Sequence, residues 1–125
     1  MSRAYRMLSL LDVNAALAEN EYDFWKDVLS RCTEYPTGVL EGCETSYPDT
    51  VEAYQRKDGW TRFCCDIEMN LSGGYCQEEY AEDFRKALHL LTKDVVPDFK
   101  VSLNCYYLEH DPDFEVEYDR RELAV

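Results

Sequence analysis

The residues of this chain best placed to do chemistry are carboxylates. Glu109, Asp111, Asp113, Glu115, Glu117 and Asp119 occupy every other position with no basic residue among them, and Phe114, Val116 and Tyr118 fill the alternate places along the second half of the run. Successive side chains of an extended strand point to opposite faces, so this pattern predicts acids on one face and apolar groups on the other. Same-face side chains on a strand recur about every 6.6–6.8 Å, and a nucleic-acid strand advances about 3.4 Å of axis per phosphate along a backbone that travels further because it winds. The two rows of charge are of comparable pitch. Pro112 bends the array, so about four of the six acids are expected to be collinear.

A solvated edge strand is also polar, and acids there discourage edge-to-edge pairing. Such a strand normally mixes Lys, Thr and Ser with its acids, because like charges in register repel. An all-acid row therefore favours recognition of a basic surface over plain solvation. Asp111, Asp113, Glu115, Glu117, Asp119 and Glu122 also fall on the ligand positions of a calcium loop. Val116 stands where that loop needs Gly, and no helices flank the segment, so the calcium reading is the weaker one.

A second group, Glu78, Glu79, Glu82 and Asp83, loads the first turns of a helix expected over about Cys76–Lys93. Acids near a helix N-terminus complement its dipole, and Glu82 is spaced to pair with Lys86. Lying beside the last hairpin, this patch would reinforce the first.

The whole chain points the same way. Its 125 residues hold 26 acids against 13 bases, a net charge of −13. Solubility of a small domain usually needs only about 2–8 units. Residues 1–62 carry 11 acids and 7 bases, whereas residues 63–125 carry 15 and 6. Such a charge repels free nucleic acid and anionic membranes and steers the chain toward basic protein surfaces.

Catalytic signatures are weak. His89 and His110 have no motif around them, and Ser72-Gly73-Gly74 lacks the Lys of a phosphate-binding loop while Glu78 and Glu79 stand close by. The six cysteines include no C-x-x-C pair, and adjacent Cys64 and Cys65 would face opposite sides of a strand. They read as reduced, mostly buried thiols. The opening MSRAYRMLSLLDVN has too short an apolar run for a secretory signal, and no stretch approaches the roughly 20 apolar residues of a membrane span. A cytoplasmic protein with no catalytic residue, metal or cofactor is expected, its oligomeric state unassigned.

The elements that must position the acids follow from periodicity. Tyr5–Leu11 fits a strand or a helix start, and Asn14–Arg31 reads as one helix or two short ones. Thr33–Thr50, with Pro36, Gly38, Gly42 and Pro48, reads as an irregular loop. Val51–Arg56 and Trp60–Leu71 form a hairpin about Gly59, Tyr80, Phe84, Ala87, Leu88 and Leu91 mark the buried face of the second helix, and the alternation from Val101 to Tyr107 predicts a strand returning through Phe114–Asp119. The expected fold class is α+β: one domain spanning 1–125, with one antiparallel sheet of about four or five strands and two or three helices packed on one face.

In size, composition and its one acidic segment the chain is similar to small acidic inhibitors of phages and mobile elements. These are the anti-CRISPR and anti-restriction proteins that imitate nucleic acid. It is similar also to acidic immunity proteins that neutralise nuclease toxins. The resemblance implies a non-enzymatic inhibitor whose partner is the basic surface of a nucleic-acid-handling effector or nuclease. Glu109, Asp111, Asp113, Glu115, Glu117 and Asp119 would stand in for phosphates, with Tyr106 and Tyr118 available for aromatic contact. Two other readings remain: an immunity or antitoxin protein that blocks a toxin active site, and a small metal-binding protein or enzyme.

Overall fold

The computed structural model describes residues 3–107 and 112–124. The chain runs β1 (Arg3–Val13), α1 (Glu19–Glu34), α2 (Pro36–Leu40), β2 (Val51–Gln55), β3 (Thr61–Leu71), α3 (Gln77–Leu91), β4 (Phe99–Tyr106) and β5 (Phe114–Asp119), with 3-10 turns at Pro48–Thr50 and Glu122–Ala124. The five strands form one sheet in the order β2-β3-β1-β4-β5, and every neighbouring pair is antiparallel. This is an α+β fold. Its first four strands and two long helices follow the split βαβ arrangement, with β5 added at the β4 edge.

Period-two burial builds the layers. Met7, Leu11 and Val13 of β1, Phe63 and Cys65 of β3, and Val101, Leu103 and Cys105 of β4 point to the helix side and are buried. Against them α1 sets Trp25, Val28, Leu29 and Cys32, while α3 sets Tyr80, Phe84, Ala87 and Leu88. Two buried polar links meet at Thr33, one tying β1 to α1 and the other tying α3 to α1. Ser9 and Thr33 hydroxyls share a hydrogen bond of 2.9 Å, and the wholly buried Tyr80 hydroxyl donates to the Thr33 carbonyl. Among the described residues no helix covers the other face of the sheet.

The segment that periodicity left ambiguous, Tyr5–Leu11, belongs to the central strand. Its odd residues fill the core, and its even residues Leu8 and Leu10 are half-buried on the open face. The first helix begins later than Asn14: Asn14–Ala18 is not helical, and Glu21 reaches back to accept the Ala18 N–H at 2.9 Å, closing the N-terminus of α1. One helix, not two short ones, then runs to Glu34.

Thr33–Thr50 is not the irregular loop expected of it. Pro36 opens α2, where a missing N–H costs nothing and a fixed φ suits the first turn, and Pro48 opens a 3-10 turn in the same way. The prolines mark starts of short helices within that span. The hairpin turn before β3 does need its glycine, since Gly59 sits at φ 89°.

Candidate functional site

Edge strand β5 settles how the acidic row is held. Phe114, Val116 and Tyr118 turn to the helix side and pack on the core, while Glu115, Glu117 and Asp119 point to the open face. Across β4, Glu115 lies opposite Asn104, Glu117 opposite Ser102 and Asp119 opposite Lys100. Ser102, Asn104, Glu115 and Glu117 line one shallow groove. Glu115 and Glu117 are exposed, and no hydrogen bond or ion pair among the described residues engages either carboxylate.

Backbone pairing adds to their exposure. The Arg120 N–H donates to the Phe99 carbonyl at 3.1 Å, and this register makes residues 116 and 118 the ones that exchange hydrogen bonds with β4. The N–H and C=O groups of Glu115 and Glu117 therefore point away from the sheet, along its free edge.

The other members of the predicted row do different work. Asp113 precedes the strand, and its carboxylate accepts the Tyr107 N–H, fastening the β4–β5 connection. Asp119 accepts the Glu122 N–H at 2.9 Å while Glu122 returns to the Asp119 N–H at 3.4 Å, a reciprocal pair that starts the terminal 3-10 turn. Glu109 and Asp111 lie outside the described residues. The expected row of about four collinear, available acids thus resolves into two unengaged carboxylates and one capping acid. The calcium-loop spacing fails for the same reason. A loop must curl to gather its ligands, whereas Glu115 and Asp119 sit on an extended strand about 13 Å apart. Among the described residues no group of three or more His, Cys, Asp or Glu side chains could hold a metal ion.

The α3 acids do not merge with this row. They lie on the helix layer, opposite to the face that Glu115 and Glu117 occupy, so the two patches look in different directions. Glu82 pairs with Arg85 rather than with Lys86, its Oε1 2.6 Å from Nη2, and that bond holds the Glu82 carboxyl below its ordinary value. Arg85 also donates to the Leu123 carbonyl at 2.6 Å, tying the C-terminal turn to α3. Asp83 accepts the Tyr75 hydroxyl at 2.6 Å; burial first, and this bond second, push the Tyr75 hydroxyl up. Glu78 and Glu79 remain exposed. Tyr118 packs against the core, whereas Tyr106 lies on the open face under the Arg6 guanidinium, 5.2 Å from the ring centroid.

Two features of the open face were not singled out from the sequence. Glu52, Asp66 and Glu68 bring further carboxylates from β2 and β3. Arg6 binds Asp66 through two bonds of 2.8 Å, which hold its carboxyl down. The second feature is a charge cluster around Asp12, which is 5% exposed although it belongs to the open face. Arg62 grips it at 2.8 and 3.0 Å and Arg56 approaches to 3.2 Å. Burial pushes the Asp12 carboxyl up, but the two guanidiniums outweigh it and the net displacement is downward. Alternation within Cys64–Glu68 signals an exposed strand face. Nothing local in the sequence signals that Asp12 meets two arginines about fifty residues away.

No family model, curated protein or solved structure matches this chain. No helix among the described residues is long and apolar enough to cross a membrane.

Proposed function

We propose that the protein is a non-enzymatic acidic inhibitor, of the anti-CRISPR or anti-restriction type, that occupies the positively charged nucleic-acid-binding surface of a target protein. One observation carries the reading. Glu115 and Glu117 present carboxylates on an exposed sheet edge that no hydrogen bond or ion pair among the described residues engages; neutral Asn104 and Ser102 lie opposite them, and Lys100 and Arg62 share a pocket with Glu117 but not with Glu115. Their separation of about 6.6–6.8 Å suits a groove lined with Lys and Arg to neutralise successive phosphates. Glu78 and Glu79 serve as a secondary contact on the other layer, and the net charge of −13 steers the approach. The partner is a nucleic-acid-handling effector or nuclease in the cytoplasm, and the protein itself binds no nucleic acid.

The experiment is affinity capture from the native host, followed by a nucleic-acid-binding assay on the captured partner. Competition between this protein and DNA or RNA is expected. A partner that binds both at once would overturn the mimic and favour an immunity protein docking beside the active site.

A further inference from the structure

A groove of about 320 Å³ opens at the N-terminal half of α1, on a side of the molecule that the acidic strand does not use. Phe24, Trp25, Val95, Val96 and Pro97 form most of its wall, with Glu21 at the lip. Its apolar groups are unusually open: Val96 is 89% exposed and Phe24 42%. Single exposed apolar residues are ordinary, but a contiguous set around a concavity marks a contact surface.

The groove is preformed. Arg120 donates to the Val96 carbonyl at 2.8 Å and the Pro97 carbonyl at 3.0 Å, and the Asp98 carbonyl accepts the Asn14 N–H at 2.8 Å. Three consecutive carbonyls, of Val96, Pro97 and Asp98, are thereby fastened, which holds the backbone of this wall in place. On the facing wall Phe24 stands edge-on to Trp25 at 5.4 Å, and Trp25 packs on Phe99 at 5.5 Å. Among the described residues Glu21 is the one charged residue that lines the groove; exposed Asp94 and Asp98 flank the Val95–Pro97 segment in the chain, and the nearby Arg120 guanidinium is taken by two carbonyls of that segment.

We infer that this groove docks a protein segment with one aromatic or aliphatic anchor side chain flanked by Lys or Arg. The apolar walls take the anchor and Glu21, Asp94 and Asp98 pair with the flanking cations, an arrangement of buried anchor and polar border common to protein interfaces. A second copy of this chain is a poor occupant, because two rims of like charge would meet on bodies that each carry −13.

The test uses the full chain, labelled with nitrogen-15 and titrated with two synthetic heptapeptides. One has Phe at the centre between Lys and Arg residues; the other has Ser in place of Phe. Amide shifts confined to residues 20–25 and 94–98 are expected with the first, and binding about tenfold weaker with the second. Val96→Asp separates the groove from charge alone. It adds an acid to the rim and removes an apolar wall, so docking predicts weaker binding and bulk electrostatics predicts tighter. The position is too exposed for this change to disturb the fold. Glu115→Lys with Glu117→Lys should leave peptide affinity within about twofold, which keeps this site distinct from the acidic strand. Equal binding of the two peptides, tighter binding by Val96→Asp, shifts elsewhere, or none at about 1 mM peptide would each overturn the inference. A dimer in sedimentation that Val96→Asp dissolves would overturn it too, making the occupant a second copy.

Discussion

Replacing Asp12 by Asn tests how the open face is held together. The side chain keeps its shape and loses its charge between two guanidiniums. Asp12 makes three contacts of 2.8–3.2 Å with Arg62 and Arg56 while its side chain is only 7% exposed. Truncating one partner of a buried pair costs about 3–5 kcal/mol, and charged hydrogen bonds contribute about 1.5–3 kcal/mol. Arg62 and Arg56 side chains are 29% and 30% exposed and can rehydrate, so the lower part of that span applies. A loss of about 2–3 kcal/mol follows, or roughly 6–15 °C in Tm for a chain of this length. Asp66→Asn is the matched control. It removes a bidentate pair with Arg6 on the same face, where the side chains are 44% and 46% exposed, and should cost about 0–1 kcal/mol. Thermal and urea unfolding of both variants are the assay. The Asp12 carboxyl is held below its ordinary value, so its contribution is present above the unfolded-state pKa and fades as pH falls through the folded one. The gap between wild type and Asp12→Asn should accordingly close below about pH 4. Equal costs for the two variants, or a gap that does not change on acidification, would refute the reasoning.

Tyr80→Phe should destabilise the fold by about 1–2 kcal/mol, because the Thr33 carbonyl loses its buried donor; calorimetry against wild type checks it. Native thiols should alkylate in a fixed order, read by mass spectrometry with iodoacetamide. Exposed Cys43 and Cys76 should react first and buried Cys32, Cys65 and Cys105 last, since burial pushes the Cys32 thiol furthest up and lifts Cys65 and Cys105 to about 11 and about 12. Asp119→Ala should lower stability by about 1 kcal/mol through the lost cap on the Glu122 turn, an effect visible in chemical denaturation.

What the sequence discloses is local periodicity. The alternation through Phe114–Asp119 and the stripe from Tyr80 to Leu88 each predict an element whose buried face the structure reproduces, because a half-buried strand and an amphipathic helix write their environment into every second or every third and fourth residue. Alternation does not tell a free carboxylate from an engaged one. Asp113 and Asp119 share the phase of Glu115 and Glu117, yet both are taken by backbone N–H groups at the two ends of β5. The Thr33–Thr50 stretch hides α2 because five residues are too few to display a helical period, and its prolines resemble turn punctuation. Asp12, Arg56 and Arg62 meet only through strand order, as do Phe24 and Val96 through the packing of α1 near the β4 entrance. Such constellations belong to topology and leave no trace in neighbouring residues.

Capture of the cellular partner opens the most direct measurement: its association rate with wild type and with the Glu115→Lys, Glu117→Lys double variant, followed from low to high salt. Charge steering by the exposed carboxylates of β5 predicts an association rate that falls as salt rises, and one about tenfold lower for the variant at low salt with folding unchanged. Identical rates for the two proteins across the salt series would contradict it.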